Sequence, residues 1–254
     1  MKILVTLTLA AALSSPAWCS DLVVKKEKHT DAAPVMNQPA QDSVEVTWIG
    51  KDRMRTEEGE RVTLVRADLK KMYMLDTKAK TFSTLDLPFD LKKAMPAEMA
   101  PMMEQMMGQM KVTVTPTTET KKIKDWNATR YTVTVTMPMG GSSTQEMWVT
   151  KEIGVDPAAW QDMYGALMSA ANPMGGGMTA EMKKIDGFPV LIERTQKVMS
   201  SEIKSKEAVI SVEQKEPAAD FYDVPKDYIE KPFDPMAGMG MKMGGPGAHG
   251  PRRG

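Results

Sequence analysis

Alternation of apolar and polar residues, interrupted at short intervals by turn-forming residues, is the feature that most limits the folds open to this chain. Within residues 21–87, Val44, Val46 and Trp48 share one face of a candidate strand, and 62–66 repeats the alternation. Turn signals separate these runs at 50–52, 58–60 and 76–78. Short alternating segments at this spacing predict an antiparallel meander.

The same alternation returns in the second half of the chain. Tyr131, Val133, Val135 and Met137 share one face of a candidate strand at residues 128–137. The other candidate strands of this half are 112–124, 144–150, 188–199 and 202–214, and the first strand of the chain is 21–30. The sequence therefore predicts a mainly β fold with α insertions (α+β), with about ten or eleven strands in one domain.

Methionines crowd residues 91–110, a segment that interrupts the strands. At about 100° per residue they fall on one arc of a helix, whereas Gln105 and Gln109 fall outside it. Pro96 and Pro101 predict two short kinked helices, because proline breaks a helix interior. The methionine stripe consists of Met95, Met99, Met102, Met103, Met106, Met107 and Met110. Thioether side chains are unbranched and adaptable, so this stripe either closes a core or receives a flexible apolar ligand.

A second helix is predicted to begin at Asp156. Asp is a favourable N-cap residue, and Pro157 is suited to the first helical position. Trp160, Met163 and Leu167 then form the apolar face of that helix.

The two ends of the chain differ in composition from its middle. Residues 1–20 have a positive start, an apolar run and a small-residue cleavage region, which together predict a secretory signal peptide. That apolar run is too short to span a bilayer, so we expect no transmembrane segment. Residues 21–234 form the predicted domain, and the Met- and Gly-rich tail 235–254 is predicted to be disordered. Because Cys19 is the only cysteine, the exported domain has no internal disulfide, and we expect a periplasmic protein of a Gram-negative envelope.

Charge and motif content exclude several functions. Lys and Arg number 33, as do Asp and Glu, so the bulk charge does not favour nucleic acid. The two histidines, His29 and His249, lie near the start of the exported chain and in the tail, where neither is placed to serve a nucleophile. No metalloprotease, P-loop or hydrolase motif is present. We therefore predict a protein that is not an enzyme and carries no cofactor.

Several short motifs carry a resemblance to a known superfamily. They are Trp48 with residues 52–55, then 71–76, 80–82, 119–123 with Tyr131, 147–154, 187–190 and 221–228. On these residues the chain resembles the periplasmic lipoprotein-carrier superfamily of the LolA and LolB proteins, in an uncharacterised branch of unknown function. The resemblance implies a half-open antiparallel β-barrel whose concave face holds acyl chains beneath a helical lid. The carriers generally begin with a helix, whereas residues 21–30 here have the pattern of a strand.

Three functions remain open from the sequence. The first is a hydrophobic ligand or a lipidated protein bound under the lid by Met95, Met99, Met102, Met103, Met106, Met110, Trp160, Met163 and Leu167. The second is Cu(I) bound in the tail by Met236, Met239, Met241, Met243 and His249, because thioethers are soft ligands. The third is a scaffold with an envelope protein as its partner. If the methionine stripe only fills the barrel, the first function fails.

Overall fold

A computed structural model describes residues 20–34, 38–88, 101, 105, 109–136, 142–155, 160, 165, 178–198 and 201–233. The strands are β1 (Asp21–Thr30), β2 (Gln41–Ile49), β3 (Arg53–Glu58), β4 (Arg61–Arg66), β5 (Lys71–Asp76), β6 (Thr81–Asp86), β7 (Lys111–Ile123), β8 (Trp126–Thr136), β9 (Ser142–Thr150), β10 (Phe188–Val198), β11 (Ser201–Lys215) and β12 (Ile229–Glu230). A 3-10 turn spans Ala67–Leu69, and helix α1 spans Met178–Met182. No helix in these ranges is long and apolar enough to cross a membrane.

The strands form one sheet in the order β12-β6-β5-β4-β3-β2-β1-β11-β10-β9-β8-β7. Two antiparallel meanders, β1 to β6 and β7 to β11, are joined where β1 pairs with β11. Short β12 adds in parallel to β6. The predicted meander and the mainly β class are confirmed, including a first strand at 21–30. The sheet is large and open rather than a closed barrel.

The predicted helical lid falls largely outside the described residues. Within 91–110, Pro101, Gln105 and Gln109 have helical backbone and are exposed. In the second predicted helix, Trp160 and Gly165 are helical. These positions agree with helices in the two segments, but a lid over the sheet is not established by them.

The two faces of the sheet differ in what packs against them. We define the inner face as the one that contacts α1, where Met182 and Ile185 join a cluster with Val133, Met147 and Ile192. Directly paired residues of neighbouring strands lie on the same face, so the strand register extends this definition from strand to strand, except at the register shifts near Lys25, Pro116 and Pro189.

Strand β2 shows how the faces are used. Val44, Val46 and Trp48 do share a face, as the alternation predicts, but it is the outer face, and Val44 is 43% exposed. Thr47 and Ile49 lie on the inner face and are buried. The more apolar side of this strand is therefore not the side that faces the main core.

The C-terminal segment 216–233 explains why the outer face of the first meander is apolar. The ring of Phe221 lies 4.6 Å from that of Trp48, in a tilted arrangement. Val224 and Tyr228 pack against a buried outer-face cluster formed by Val62, Leu64 and Leu75. Both faces of the first meander are consequently covered, which accounts for strands that are apolar on both sides.

Candidate functional site

The inner face of the first meander carries an unbroken apolar row. Six directly paired residues cross strands β1 to β6: Leu22, Ile49, Met54, Val65, Met72 and Leu85. Met54 and Met72 are 0% and 1% exposed, and on β9 the inner-face residue Met147 is 1% exposed. The described inner face is therefore lined by adaptable thioethers in its strands as well as by branched side chains.

Polarity rises along the same face from row to row. A threonine row lies two positions farther along the strands than the apolar row. It consists of Thr47, Thr56 and Thr63 beside Val24, and the hydroxyls of Thr47 and Thr56 lie 3.3 Å apart. After two more residues comes a charged row, which consists of Lys26, Glu45, Glu58, Arg61 and Asp76. Since a strand rises about 3.4 Å per residue, the apolar and charged rows are about 14 Å apart.

Three members of the charged row, Lys26, Glu45 and Glu58, are joined to one another by ion pairs through Lys28 and Glu45. Nζ of Lys26 lies 3.0 Å from Glu45 Oε1, and Nζ of Lys28 lies 3.3 Å from Glu45 Oε2 and 2.9 Å from Glu58 Oε2. The Ser43 hydroxyl donates to Glu58 Oε1 at 2.6 Å. The side chains of Lys26 and Glu45 are only 12% and 13% exposed, so these charges are largely buried rather than on an open surface.

Burial and charge act in opposite directions on these groups. Burial alone would raise the pKa of Glu45, but the attraction of Lys26 and Lys28 outweighs it and the pKa of Glu45 is lowered. Burial alone would lower the pKa of Lys28, but its hydrogen bond to Glu58 and the nearby carboxylates of Glu45 and Glu207 raise the pKa of Lys28 overall. Both groups therefore remain charged across the physiological pH range.

An aromatic pair, Trp160 and Phe188, lies where the charged row meets the second meander. The Trp160 and Phe188 rings lie 4.5 Å apart, and Lys26 Nζ lies 6.0 Å from the Phe188 centroid. Beside them is a cleft that also contacts Ile153 and Gly187. Its volume of about 30 Å³ is roughly that of one or two water molecules. A cleft of this size is too small for an acyl chain.

Two of the sequence-predicted ligand residues can be placed. Trp160 is 5% exposed and belongs to the main core cluster with Met54 and Met72. Met110 is half-buried and packs against the inner-face cluster of the second meander. The remaining candidates lie outside the described residues: Met95, Met99, Met102, Met103, Met106, Met163 and Leu167.

The copper prediction cannot be placed, because Met236, Met239, Met241, Met243 and His249 all lie outside the described residues. His29 is on the outer face, where Nδ1 lies 2.7 Å from Asp42 and Nε2 lies 3.2 Å from Asp31. In the part of the chain that the structure describes, no group of three or more His, Cys, Asp or Glu residues could hold a metal ion.

The charged row could not be recognised in the sequence. Lys26 and Lys28 alternate with other charged residues, and Glu45 lies between two valines, so neither looked like part of a buried network. The available signal was the period-two placement of Lys26 and Lys28 in β1, which puts both on one face. Their neighbours across β2 depend on the register, which local sequence does not specify.

The protein is thus built on an open, mainly antiparallel sheet whose inner face changes from apolar to charged along its strands. The chain belongs to the DUF4412 family, a domain of unknown function, whose family model matches residues 35–228. No curated protein matches the sequence.

Solved structures similar to this chain include PNGF-II, at 11% identity and a TM-score of 0.41, over 84% of this chain and 31% of PNGF-II. A domain from Vibrio parahaemolyticus described as an outer membrane lipoprotein-sorting protein matches at 7% identity and a TM-score of 0.32, over 82% and 91% of the two chains. A DUF1329 family protein from Desulfovibrio piger matches at 7% and 0.29, over 80% and 88%.

The family model of unknown function agrees with the part of the sequence resemblance that named a branch of unknown function. The chain spans less than a third of PNGF-II. Since the TM-scores are low, the matches carry no argument about ligand or activity.

Proposed function

We propose that this chain is a non-enzymatic periplasmic binding protein that holds a hydrophobic ligand, a lipid or the acyl chain of a lipoprotein, against the inner face of its sheet. The supporting observation is the ordered change from the apolar row to the charged row on that face. Such a surface matches an amphiphile, whose chain lies on the apolar row and whose polar end lies toward the charges.

Methionine gives this face the adaptability that uptake requires. Met54 and Met72 are fully covered, so a ligand reaches the apolar row only when the groups that cover these side chains move. Unbranched thioethers change rotamer and fill irregular gaps more readily than branched residues. Each buried methylene of a ligand contributes about 0.8 kcal/mol, which offsets the cost of such repacking over a chain of moderate length.

The first experiment is native mass spectrometry of the protein isolated from periplasm without delipidation. We expect a bound mass in the range of lipids, which is lost after delipidation. The delipidated protein should then bind the methyl ester of cis-parinaric acid, a neutral fluorescent acyl probe. A clean apo mass together with no probe binding would contradict the proposal and leave the inner face as packing alone.

The matched control for probe binding is a change on the outer face. Val44 is exposed there, so Val44→Ser should leave binding of the neutral probe unchanged. Phe188→Leu removes one ring of the aromatic pair beside the charged row, and this variant should bind the neutral probe more weakly. Equal loss in both variants would place the probe elsewhere than the inner face.

A further inference from the structure

Two buried hydrogen-bonding atoms on the inner face have no hydrogen-bond partner among the described residues: Nε of Arg194 and Oγ of Ser143. Ser143 as a whole is 6% exposed. Burying a polar group without a partner costs about 1–3 kcal/mol, so such a pair on a single face requires an explanation. The same condition occurs at Arg130 Nε and Trp148 Nε1, which lie on the outer face.

The register places Arg194 and Ser143 side by side. Arg194 on β10 pairs with Gln145 on β9, and Ser143 pairs with Gln196, so the two are diagonal neighbours on the inner face. Diagonal neighbours lie about 7–8 Å apart at their backbones, a gap that an arginine side chain spans. Both residues can therefore donate hydrogen bonds to one small group lying between them.

Charge distinguishes Arg194 from the lysines of the same face. Lys26 and Lys28 are neutralised by Glu45 and Glu58 at 2.9–3.3 Å. No carboxylate within the described ranges lies within ion-pair distance of Arg194. The nearest acidic residue by register is Glu207, whose own direct partner across β11 and β1 is Lys28, and its charge acts on that lysine.

The direct partners of Arg194 on the inner face are neutral. They are Gln145 on β9 and Ser205 on β11. Ile192, which lies two positions before Arg194 on β10, belongs to the apolar cluster with Val133 and Met147. Arg194 thus joins a polar patch to an apolar surface, and its guanidinium has charge and a fork of donors available for an anion.

We propose that Arg194 and Ser143 bind the anionic head group, a carboxylate or a phosphate, of the amphiphile whose chain lies on the inner face. This inference rests on the proposed function, because it assigns a head-group chemistry to the same ligand. Arg194 supplies the charge-assisted hydrogen bonds and Ser143 a neutral one, and the chain runs from there over the cluster around Ile192 in the direction of the apolar row.

The test is displacement of the neutral methyl ester probe from delipidated protein by dodecanoate, dodecyl phosphate and dodecanol, which share one chain and differ in head group. We expect the two anions to bind about tenfold or more tightly than dodecanol, since a hydrogen bond to a charged group is worth that factor. Stronger binding of the phosphate indicates a phospholipid source, and stronger binding of the carboxylate indicates a fatty acid.

Variants locate the effect. Arg194→Gln should remove the preference for anions and leave the affinity for dodecanol unchanged, and Ser143→Ala should reduce the preference by about threefold. Arg130→Gln is the matched control, because it removes a cation from the outer face, where Arg130 pairs with Glu119. It should retain the preference.

Three outcomes overturn the inference in distinguishable ways. If all three compounds displace the probe equally from the wild-type protein, the head-group assignment fails and the proposed function stands. If the probe itself does not bind, the proposed function fails and the head-group assignment fails with it. A preference for anions that survives Arg194→Gln would also reject the assignment to Arg194.

Discussion

The hydroxyl of Tyr222 donates a hydrogen bond of 2.5 Å to Oδ2 of Asp21, which joins the start of β1 to the C-terminal segment across 201 residues of sequence. Both residues are buried, at 3% and 4% exposure. Around them, Arg53 lies 4.7 Å from the centroid of the Tyr222 ring, and Arg55 donates to the Phe221 carbonyl at 2.8 Å. This contact holds the C-terminal segment on the outer face of the first meander.

Tyr222→Phe should destabilise the protein by about 1–3 kcal/mol, because it leaves the buried Asp21 carboxylate without its hydroxyl donor. Urea unfolding followed by circular dichroism measures the change. Tyr228→Phe is the control, since Tyr228 lies in the same segment and its hydroxyl makes no hydrogen bond within the described ranges. Equal losses in the two variants would contradict a special role for the Tyr222–Asp21 contact.

Alkaline pH gives an independent check on the same contact. Burial, and then the hydrogen bond to Asp21, raise the pKa of Tyr222 above its usual value of 10.0. Stability from this neutral hydroxyl is complete below pH 10.0 and is lost as pH rises beyond it. The wild-type protein should therefore lose stability above that pH more steeply than Tyr222→Phe.

Glu45→Gln should destabilise the protein by about 2 kcal/mol at neutral pH, because Lys26 and Lys28 lose their shared and largely buried carboxylate. The folded pKa of Glu45 is below its ordinary 4.5, so its contribution is present above that pH and disappears as pH falls below it. The difference between wild type and variant, measured by urea unfolding at several pH values, should shrink in acid.

Glu60→Gln provides the comparison for Glu45. Glu60 pairs with Lys78 at 3.1 Å, but both side chains are exposed, at 59% and 76%. Exposed pairs contribute little, so this variant should show no comparable pH-dependent loss. A Glu45→Gln effect that is constant from acid to neutral pH would mean that the ion pairs of the charged row do not stabilise the fold.

The fold could be predicted from sequence where alternation alone decides it. Tyr131, Val133 and Val135 share the inner face of β8, as expected, because a period of two leaves no other choice. Alternation does not show which face is the inner one, and on β2 Val44 and Val46 lie on the outer face. That choice depends on Phe221 covering Trp48, a contact between segments far apart in sequence.

The candidate site could be predicted only in part for the same reason. Helical spacing predicts Trp160 on an apolar helix face, and it does lie in the main core beside Phe188. Arg194 and Ser143 become neighbours only through the pairing of β9 with β10, which includes a register shift between Pro189 and Leu191. A bulge of this kind moves side chains from one face to the other, and it cannot be predicted from the local sequence.

His29 should titrate above its ordinary pKa of 6.5, because hydrogen bonds to Asp42, and then to Asp31, favour its charged form. The C–H resonances of the imidazole in an NMR pH titration measure this directly. Asp42→Asn should bring the midpoint down toward 6.5. Because the folded pKa is raised, any stability from His29 is present below pH 6.5 and is lost as pH rises through the folded pKa. A midpoint at or below 6.5 in the wild type would contradict the contacts seen here.

The double variant Met54→Leu with Met72→Leu should fold, since such volume-conserving changes each cost less than about 1.5 kcal/mol. Branched leucines adapt less well than thioethers, so affinity for the neutral acyl probe should fall by about fivefold. Met74→Leu is the control, because Met74 is 39% exposed in the threonine row. Unchanged probe affinity in the double variant would show that repacking of these methionines is not needed for uptake.

Gly187→Ala should destabilise the protein by more than about 2 kcal/mol, because two costs add at this position. Its φ of +134° is a conformation that side chains rarely adopt, and a Cβ there would lie 2.5 Å from the Thr150 carbonyl oxygen. Gly59→Ala is the matched control, since Gly59 has φ +59° but open space around it, and only the conformational cost of about 1 kcal/mol applies. Urea unfolding of both variants separates the two costs. Equal destabilisation of the two would mean that the close approach to Thr150 is relieved without cost.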